Sequence, residues 1–564
     1  MIVQLTISSM RSITSLLVVF TLTSGLYARQ PVRARHGMVV SREKHATDVG
    51  EAVLESGGNA IDAAVAVGLA LAVTHPSAGN IGGGGFMLVR FADGRSTFID
   101  FRERGPKSAS RDMYIDKATG KVTKDSTEGY RASGIPGSVA GFAYARDKYG
   151  KKSWKELVEP AVKLATDGFP VSYGLANTLK ANDKLSRFPE SKRIFQRGGE
   201  YYTIDEIFKQ PDLAKTLTRI RDNGPREFYE GETARRLAAD ISAHGGEITL
   251  EDLKNYKAVE RKTIEGKYRE YGIITAPPPS SGGLGILQMM GILEKTDYAK
   301  AGQGSAQAFH WEAEAMRRYF ADRSEYLADP DFFKVPEKQL LNPGYITKLR
   351  ESIDPVNATP SEKVKPGELK AYESLETTHY SIVDSEGNAV AVTYTLNGGY
   401  GSGVTATGLG FLLNNEMDDF SPKPGEANMF GLVQGEANAV APNKTPLSSM
   451  TPTIVTRDGK LYLVVGSPGG PTIINSVLQV ILNVLDFGMN IQEAVDATRI
   501  HHQWMPDTLS IEKTASPDTI ELLKQRGYQV RIAPAIGEVA AIRVDGQWIE
   551  GAPDGRVEAT AKGY

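Results

Sequence analysis

Two strand–turn–strand patterns in the last third of the chain restrict its folds more than any other feature. Residues 377–383 and 389–395 are apolar, β-branched runs on either side of Asp384-Ser385-Glu386-Gly387-Asn388, and 452–456 and 460–465 flank Arg457-Asp458-Gly459. Polar, glycine-containing turns between such runs specify antiparallel hairpins. A long apolar helix at 472–487 follows, and late strands at 529–532 and 539–544 close the chain. Upstream, 37–75 reads as a strand and then a long helix whose Ala/Val-rich part suits close packing on a sheet. Residues 86–91 and 96–101 read as a further hairpin about Asp93-Gly94, with Arg102 and Glu103 at its far end. The middle, 150–375, is more helical, with helices expected at 154–167, 212–223, 232–244, 284–293, 306–327 and 342–353. Antiparallel hairpins under helical outer layers predict an α+β fold, a four-layer αββα sandwich of two stacked, mainly antiparallel sheets.

Composition narrows the function. The 564 residues are 41% hydrophobic and 24% charged, with no linker-like stretch, so one or two large, intimately packed units are expected. A net charge of −3 with no basic cluster argues against a nucleic-acid partner. The absence of cysteine excludes disulfides, thiolate catalysis and cysteine metal sites. His501-His502 has no third ligand at metal spacing, so no metal or other cofactor is expected. Gly82-Gly83-Gly84-Gly85 lacks the Lys-Ser/Thr of a phosphate loop and reads as a tight turn; no Gly-x-Ser-x-Gly elbow is present. At the N-terminus, Arg11, an apolar run over 13–22 and then Ser24 to Ala28 read as a signal peptide, 1–28. Its removal leaves no run long enough to span a membrane, so the mature protein is expected to be periplasmic or secreted.

The hairpins place chemistry at their ends. In a hairpin centred on Glu386, Thr377 lies opposite Thr395, close enough for their hydroxyls to bond. In one centred on Gly459, Ser448 faces Gly470 and Ser449 faces Gly469, so a serine pair lies beside a glycine pair with available N–H groups. With Thr377-Thr378-His379-Tyr380-Ser381, Asn414-Asn415-Glu416-Met417-Asp418-Asp419-Phe420, Pro446-Leu447-Ser448-Ser449-Met450 and Gly466-Ser467-Pro468-Gly469-Gly470, the chain resembles the γ-glutamyltranspeptidase family of N-terminal nucleophile hydrolases. The resemblance extends through Gly57 to Ala64, Asp100-Phe101-Arg102-Glu103, Pro279-Ser280-Ser281-Gly282-Gly283 and Arg499 to Trp504, nearly the whole chain.

That resemblance implies self-cleavage between Glu376 and Thr377, giving a large subunit (29–376) and a small one (377–564) that form one intertwined heterodimer. It implies a γ-glutamyl transferase and glutathione hydrolase with Thr377 as nucleophile, Thr395 as its positioner, and Gly469 and Gly470 as oxyanion donors. Arg102, with Ser448 and Ser449, would clamp the α-carboxylate of a γ-glutamyl group; Asn397, Glu416 and Asp419 would take its ammonium. The donors would be glutathione and its conjugates, the acceptors water, amino acids or peptides. Residues 421–436 correspond to a lid, with Phe430 where a tyrosine is often found; lacking a hydroxyl, it cannot bond across to Asn397. Two other readings stay open: an acylase of the same superfamily, which should lose the arginine and acid set, and a non-enzymatic binding protein, which would fail to self-cleave.

Overall fold

Strands Thr378–Val383 and Ala389–Thr395 pair antiparallel, with Thr378 opposite Tyr394 and Val383 opposite Ala389. In this computed structural model, which describes residues 29–364, 377–423, 425–426 and 428–564, that hairpin is the centre of a seven-stranded sheet. From edge to edge its strands are Thr560–Gly563, Met38–Ser41, Thr378–Val383, Ala389–Thr395, Gly84–Arg90, Ser96–Asp100 and Val259–Arg261. A second seven-stranded sheet runs Val32–Ala34, Trp548–Pro553, Ala540–Asp545, Lys460–Gly466, Thr453–Arg457, Tyr271–Thr275 and Ile264–Tyr268. Both sheets are antiparallel throughout, and both draw strands from either side of position 376. The expected signal peptide and Glu376 lie outside the described residues.

The sheets stack face to face, and alternation along each strand sorts side chains between two cores. On Gly84–Arg90, Phe86 and Leu88 point toward the other sheet while Met87 and Val89 point to the helical layer. A strand buried on both faces reads as a continuous apolar run, as this one does. One outer layer contains Lys44–Glu55 and Ala60–Thr74; the other contains Gly282–Leu293 and Thr472–Leu485. Ala60–Thr74 is buried on every side, and its small residues let it lie close on the Thr378–Val383 hairpin. Asn59 caps it, accepting the Ile61 and Asp62 N–H groups while Asp62 accepts the Asn59 N–H at 3.0 Å. The α+β, αββα architecture is thus present.

Several local expectations change. The single helix within 37–75 is two helices: Gly57, at φ +87°, turns the chain, and a side chain at Gly58 would meet the Val53 carbonyl at 2.8 Å. The helical middle also supplies three strands between Val259 and Thr275, whose half-exposed, charged residues conceal their pattern. The strand expected at 529–532 is Val530–Ala533, which pairs parallel with Leu509–Glu512 in a small separate sheet. Trp548–Pro553 and Thr560–Gly563 complete the main sheets in its place.

Candidate active site

Thr377 precedes its strand at the rim of the first sheet and is 8% exposed. Its Oγ1 lies 3.3 Å from Thr395 Oγ1, which also accepts the Asn397 N–H at 2.8 Å. Asn80 holds this end of the hairpin, donating to the Thr395 carbonyl at 2.8 Å and accepting the Gly83 N–H at 2.9 Å. The nearest ring in sequence, His379, is no base for Thr377. It is tied to Thr393 Oγ1 (2.8 Å) and Ser381 Oγ (3.1 Å), and burial drives its pKa down to about 3. His501 and His502 are likewise structural: His501 bonds Asn475 and Gln503, and His502 faces Asp507 at 3.3 Å.

Gly469 and Gly470 follow the strand Lys460–Gly466 and lead into the helix Thr472–Leu485. Their φ values, +128° and +52°, fall where a side chain strains the backbone, and a Cβ on Gly469 would meet Thr472 Oγ1 at 2.3 Å. Among the described residues no group accepts the amide hydrogens of either glycine. The positive end of the helix lies directly behind them, which favours negative charge there.

The serine pair reaches this point by a different route from the one expected. The second hairpin keeps the expected register from Thr453–Val465 to Val455–Leu463, with a bulge at Val455/Thr456, but the ladder stops at Thr453. Ser448 is instead bridged to Ser280: Ser281 N–H and Oγ both donate to the Ser448 carbonyl at 2.7 Å, and the Ser448 N–H donates to Pro279 at 2.9 Å. Ser448 and Ser449 still line one pocket with Arg102, Thr377, Thr395, Asn397, Glu416, Asp419, Phe430 and Gly470. All ten candidate residues except Gly469 meet there; Gly469 lines the cavity on the other side of Thr377.

Arg102 is 1% exposed and pairs with both Glu416 and Asp419; its Nη1 stands 4.0 Å from Glu103. Burial opposes its charge, but the three acids outweigh burial and raise its pKa. Two of the acids respond oppositely: burial lifts Glu103 to about 7 and Glu416 well above the carboxylate range, with Arg102 pulling the other way. An amino-acid head carries its carboxylate and ammonium on one carbon, so a site for it needs a cation and acids side by side, as here. The pocket now encloses only about 20 Å³, room for a water but not for that head.

The lid closes it. Phe430 is 3% exposed and lies against Gly470, where an added Cβ would touch its ring at 2.9 Å. The contact expected to be missing at Asn397 is made by the neighbouring residue: Met429 Sδ lies 3.8 Å from Asn397 Nδ2 and 3.3 Å from Asn415 Nδ2. The Met429 N–H donates to Asp418 at 2.8 Å, which anchors the lid to the acid-bearing loop.

Across Thr377 a larger cavity of about 290 Å³ opens, lined by Arg42, Lys44, His75, Ser77, Pro468, Gly469, Glu538 and Glu558 among others. Arg42 pairs with Glu538 at 2.8 Å. Sequence reasoning assigned no role to this cavity, to Glu103, or to Arg323, whose guanidinium reaches Ser449 from behind. Glu103 belongs to the motif Asp100-Phe101-Arg102-Glu103, so its signal is present in the sequence; Arg323 lies in a stretch whose pattern marks a helix and nothing more.

These arrangements match known proteins. Residues 46–564 match the gamma-glutamyltranspeptidase family. The glutathione hydrolase proenzyme of Escherichia coli (strain K12) is 52% identical over 539 residues, covering 95% of this chain and 93% of the relative. The crystal structure of a cephalosporin acylase from Bacillus halodurans superimposes with a TM-score of 0.85 at 27% identity, covering 97% of this chain and 99% of that one. Helicobacter pylori γ-glutamyltranspeptidase superimposes with a TM-score of 0.56 at 44% identity, covering 59% of this chain and 96% of that one. The hydroxyl pair, glycine turn and paired arginine therefore sit in an enzyme with the N-terminal nucleophile hydrolase fold, and the chain belongs to the γ-glutamyltranspeptidase family.

Proposed function

We propose that this protein is a γ-glutamyl transferase and glutathione hydrolase that matures by cutting its own backbone between Glu376 and Thr377. The observation that carries the reading is the position of Thr377. Its hydroxyl, held beside Thr395, lies where a charged head pocket and a roomy second cavity meet.

In the precursor the Thr377 hydroxyl adds to the Glu376 carbonyl carbon, the C–N bond breaks, and the acyl group moves to oxygen as an ester. Water then cleaves the ester, leaving a Glu376 carboxylate and a free Thr377 amine. An α-amino group has an ordinary pKa of about 7.7–8.0. The nucleophile thereby gains a general base on its own residue, matched to neutral pH.

In turnover that amine takes the hydroxyl proton as Oγ1 attacks the γ-carbonyl of the donor. Gly469 and Gly470 N–H groups receive the oxyanion; one such donor typically contributes about 3–4 kcal/mol. The proton passes to the leaving amine, and a γ-glutamyl-threonine ester remains. Arg102, Ser448 and Ser449 hold the α-carboxylate, and Asn397, Glu416 and Asp419 hold the ammonium. The leaving amine departs into the larger cavity, where water or an amino-acid or peptide acceptor enters to resolve the ester. Export by the 1–28 segment would place the reaction in the periplasm or outside the cell; no helix among the described residues is long and apolar enough to cross a membrane.

An acylase of this fold would have no use for acids beside Arg102. Assay against γ-glutamyl and glutaryl anilides, which differ only in the α-ammonium, tests the choice. At least about a hundredfold preference for the γ-glutamyl compound is expected, since its ammonium engages Asp419 and the acceptors beside it; equal rates would move the assignment to an acylase.

A further inference from the structure

Arg323 is a guanidinium with 1% exposure, on the helix Ala306–Tyr326. No carboxylate among the described residues comes within ion-pair distance of it. Its Nε donates to Ser281 Oγ at 2.9 Å and its Nη2 to Ser449 Oγ at 3.2 Å, while Nη1 has no hydrogen-bond partner among the described residues. An unpaired buried cation is strongly disfavoured unless an anion completes it.

Hydrogen-bond direction supplies the rest. A guanidinium only donates, so Ser449 Oγ must accept from it, and the serine hydrogen is left to point elsewhere. Ser448 Oγ accepts the Met450 N–H at 3.1 Å, with the same consequence. Ser281, accepting from Arg323, has its own hydrogen directed to the Ser448 carbonyl. Arg323 thus fixes the backbone of one serine through Ser281 and the hydroxyl polarity of the other directly. Both serines line the pocket beside Arg102, and neither hydroxyl hydrogen has an acceptor among the described residues.

Resting on the functional reading above, we propose that Arg323 is a positioning residue that turns Ser448-Ser449 into a two-donor carboxylate site and so sets the enzyme's preference for acyl groups bearing an α-carboxylate. It does not touch substrate. It acts by denying Ser449 an inward donor bond and by adding positive charge behind the clamp.

The test compares γ-glutamyl-p-nitroanilide with 4-aminobutyryl-p-nitroanilide, which keeps the amine and lacks the carboxylate. Arg323→Gln supplies an acceptor that lets Ser449 turn inward. It should raise KM for the γ-glutamyl substrate about tenfold or more with kcat within about threefold, and leave the 4-aminobutyryl substrate within about twofold. Arg323→Lys keeps the charge but cannot span Ser281 and Ser449 together, and should show a smaller KM rise with the same selectivity. Adding Arg323→Gln to Ser449→Ala should cost less further discrimination than Arg323→Gln costs alone, because part of the effect runs through Ser449. Equal losses on both substrates, no loss on either, or failure of both variants to mature would overturn the proposal. Failure of the unmutated enzyme to prefer the γ-glutamyl compound would overturn the underlying functional reading instead, and the two results are told apart by that control.

Discussion

The two cavities that meet at Thr377 are opposites. On one side about 20 Å³ is enclosed by buried charges already paired to one another and roofed by Phe430. On the other, about 290 Å³ is bounded by side chains such as Arg42 and Glu538 that are still partly exposed. A buried, enclosed pocket of fixed charges rewards one head group and rejects others, because any unmatched charge stays buried and unpaired. A roomier cavity bounded by partly exposed, screened pairs discriminates weakly. On the proposed function, strict choice of acyl group and tolerant choice of acceptor follow from that contrast.

The contrast can be broken most severely at Arg102. Arg102→Lys replaces a fork with a point charge that cannot reach Glu416, Asp419 and a carboxylate together. KM for a γ-glutamyl anilide should rise about 10–100-fold, with maturation at its normal rate on a denaturing gel. Parallel loss of maturation would make Arg102 a structural residue.

On the tolerant side, Arg42→Ala should lower transfer to glycylglycine about 3–10-fold relative to hydrolysis, with the rate of donor consumption in the absence of acceptor unchanged. Its partner Glu538 should then matter less to acceptor choice. An unchanged transfer-to-hydrolysis ratio would remove Arg42 from the acceptor's path.

The smallest effect sharpens the electrostatics. The Glu103 pKa, about 7, lies above its ordinary 4.5. The folded protein therefore keeps a proton that the unfolded chain releases between those values, and stability falls as pH rises through that window. Glu103→Gln removes this dependence. The drop in Tm between pH 5 and pH 8 should shrink by about 2 °C, read by calorimetry; an unchanged slope would mean that Glu103 is ionised in the folded state.

How much was legible in the sequence follows the range of each contact. Thr377 and Thr395 could be paired because one unbulged turn joins their strands. The serine pair was expected beside both glycines, but it shares its pocket with Gly470 and not with Gly469, and by another route: the ladder ends at Thr453, and Ser448 is held by Ser280 and Ser281 from a distant segment. No local periodicity reports that contact. Arg323 shows the same limit from another direction. Its helix is one third charged, yet Glu314, Arg317, Arg318, Asp322 and Arg323 are all buried, because they bond one another or neighbouring elements in place of water. The strands within 259–275 hid for the reverse reason, since Glu265 and Lys267 face solvent at a sheet edge.

The proposed function depends on the Thr377 hydroxyl acquiring a neighbouring amine when the bond before it breaks. N-terminal sequencing of the purified active protein, alongside Thr377→Ala, tests this most directly. The account predicts a small fragment that begins at Thr377, and a Thr377→Ala chain that stays whole and inactive. A small fragment beginning at any other residue, or a fully active uncut chain, would contradict it.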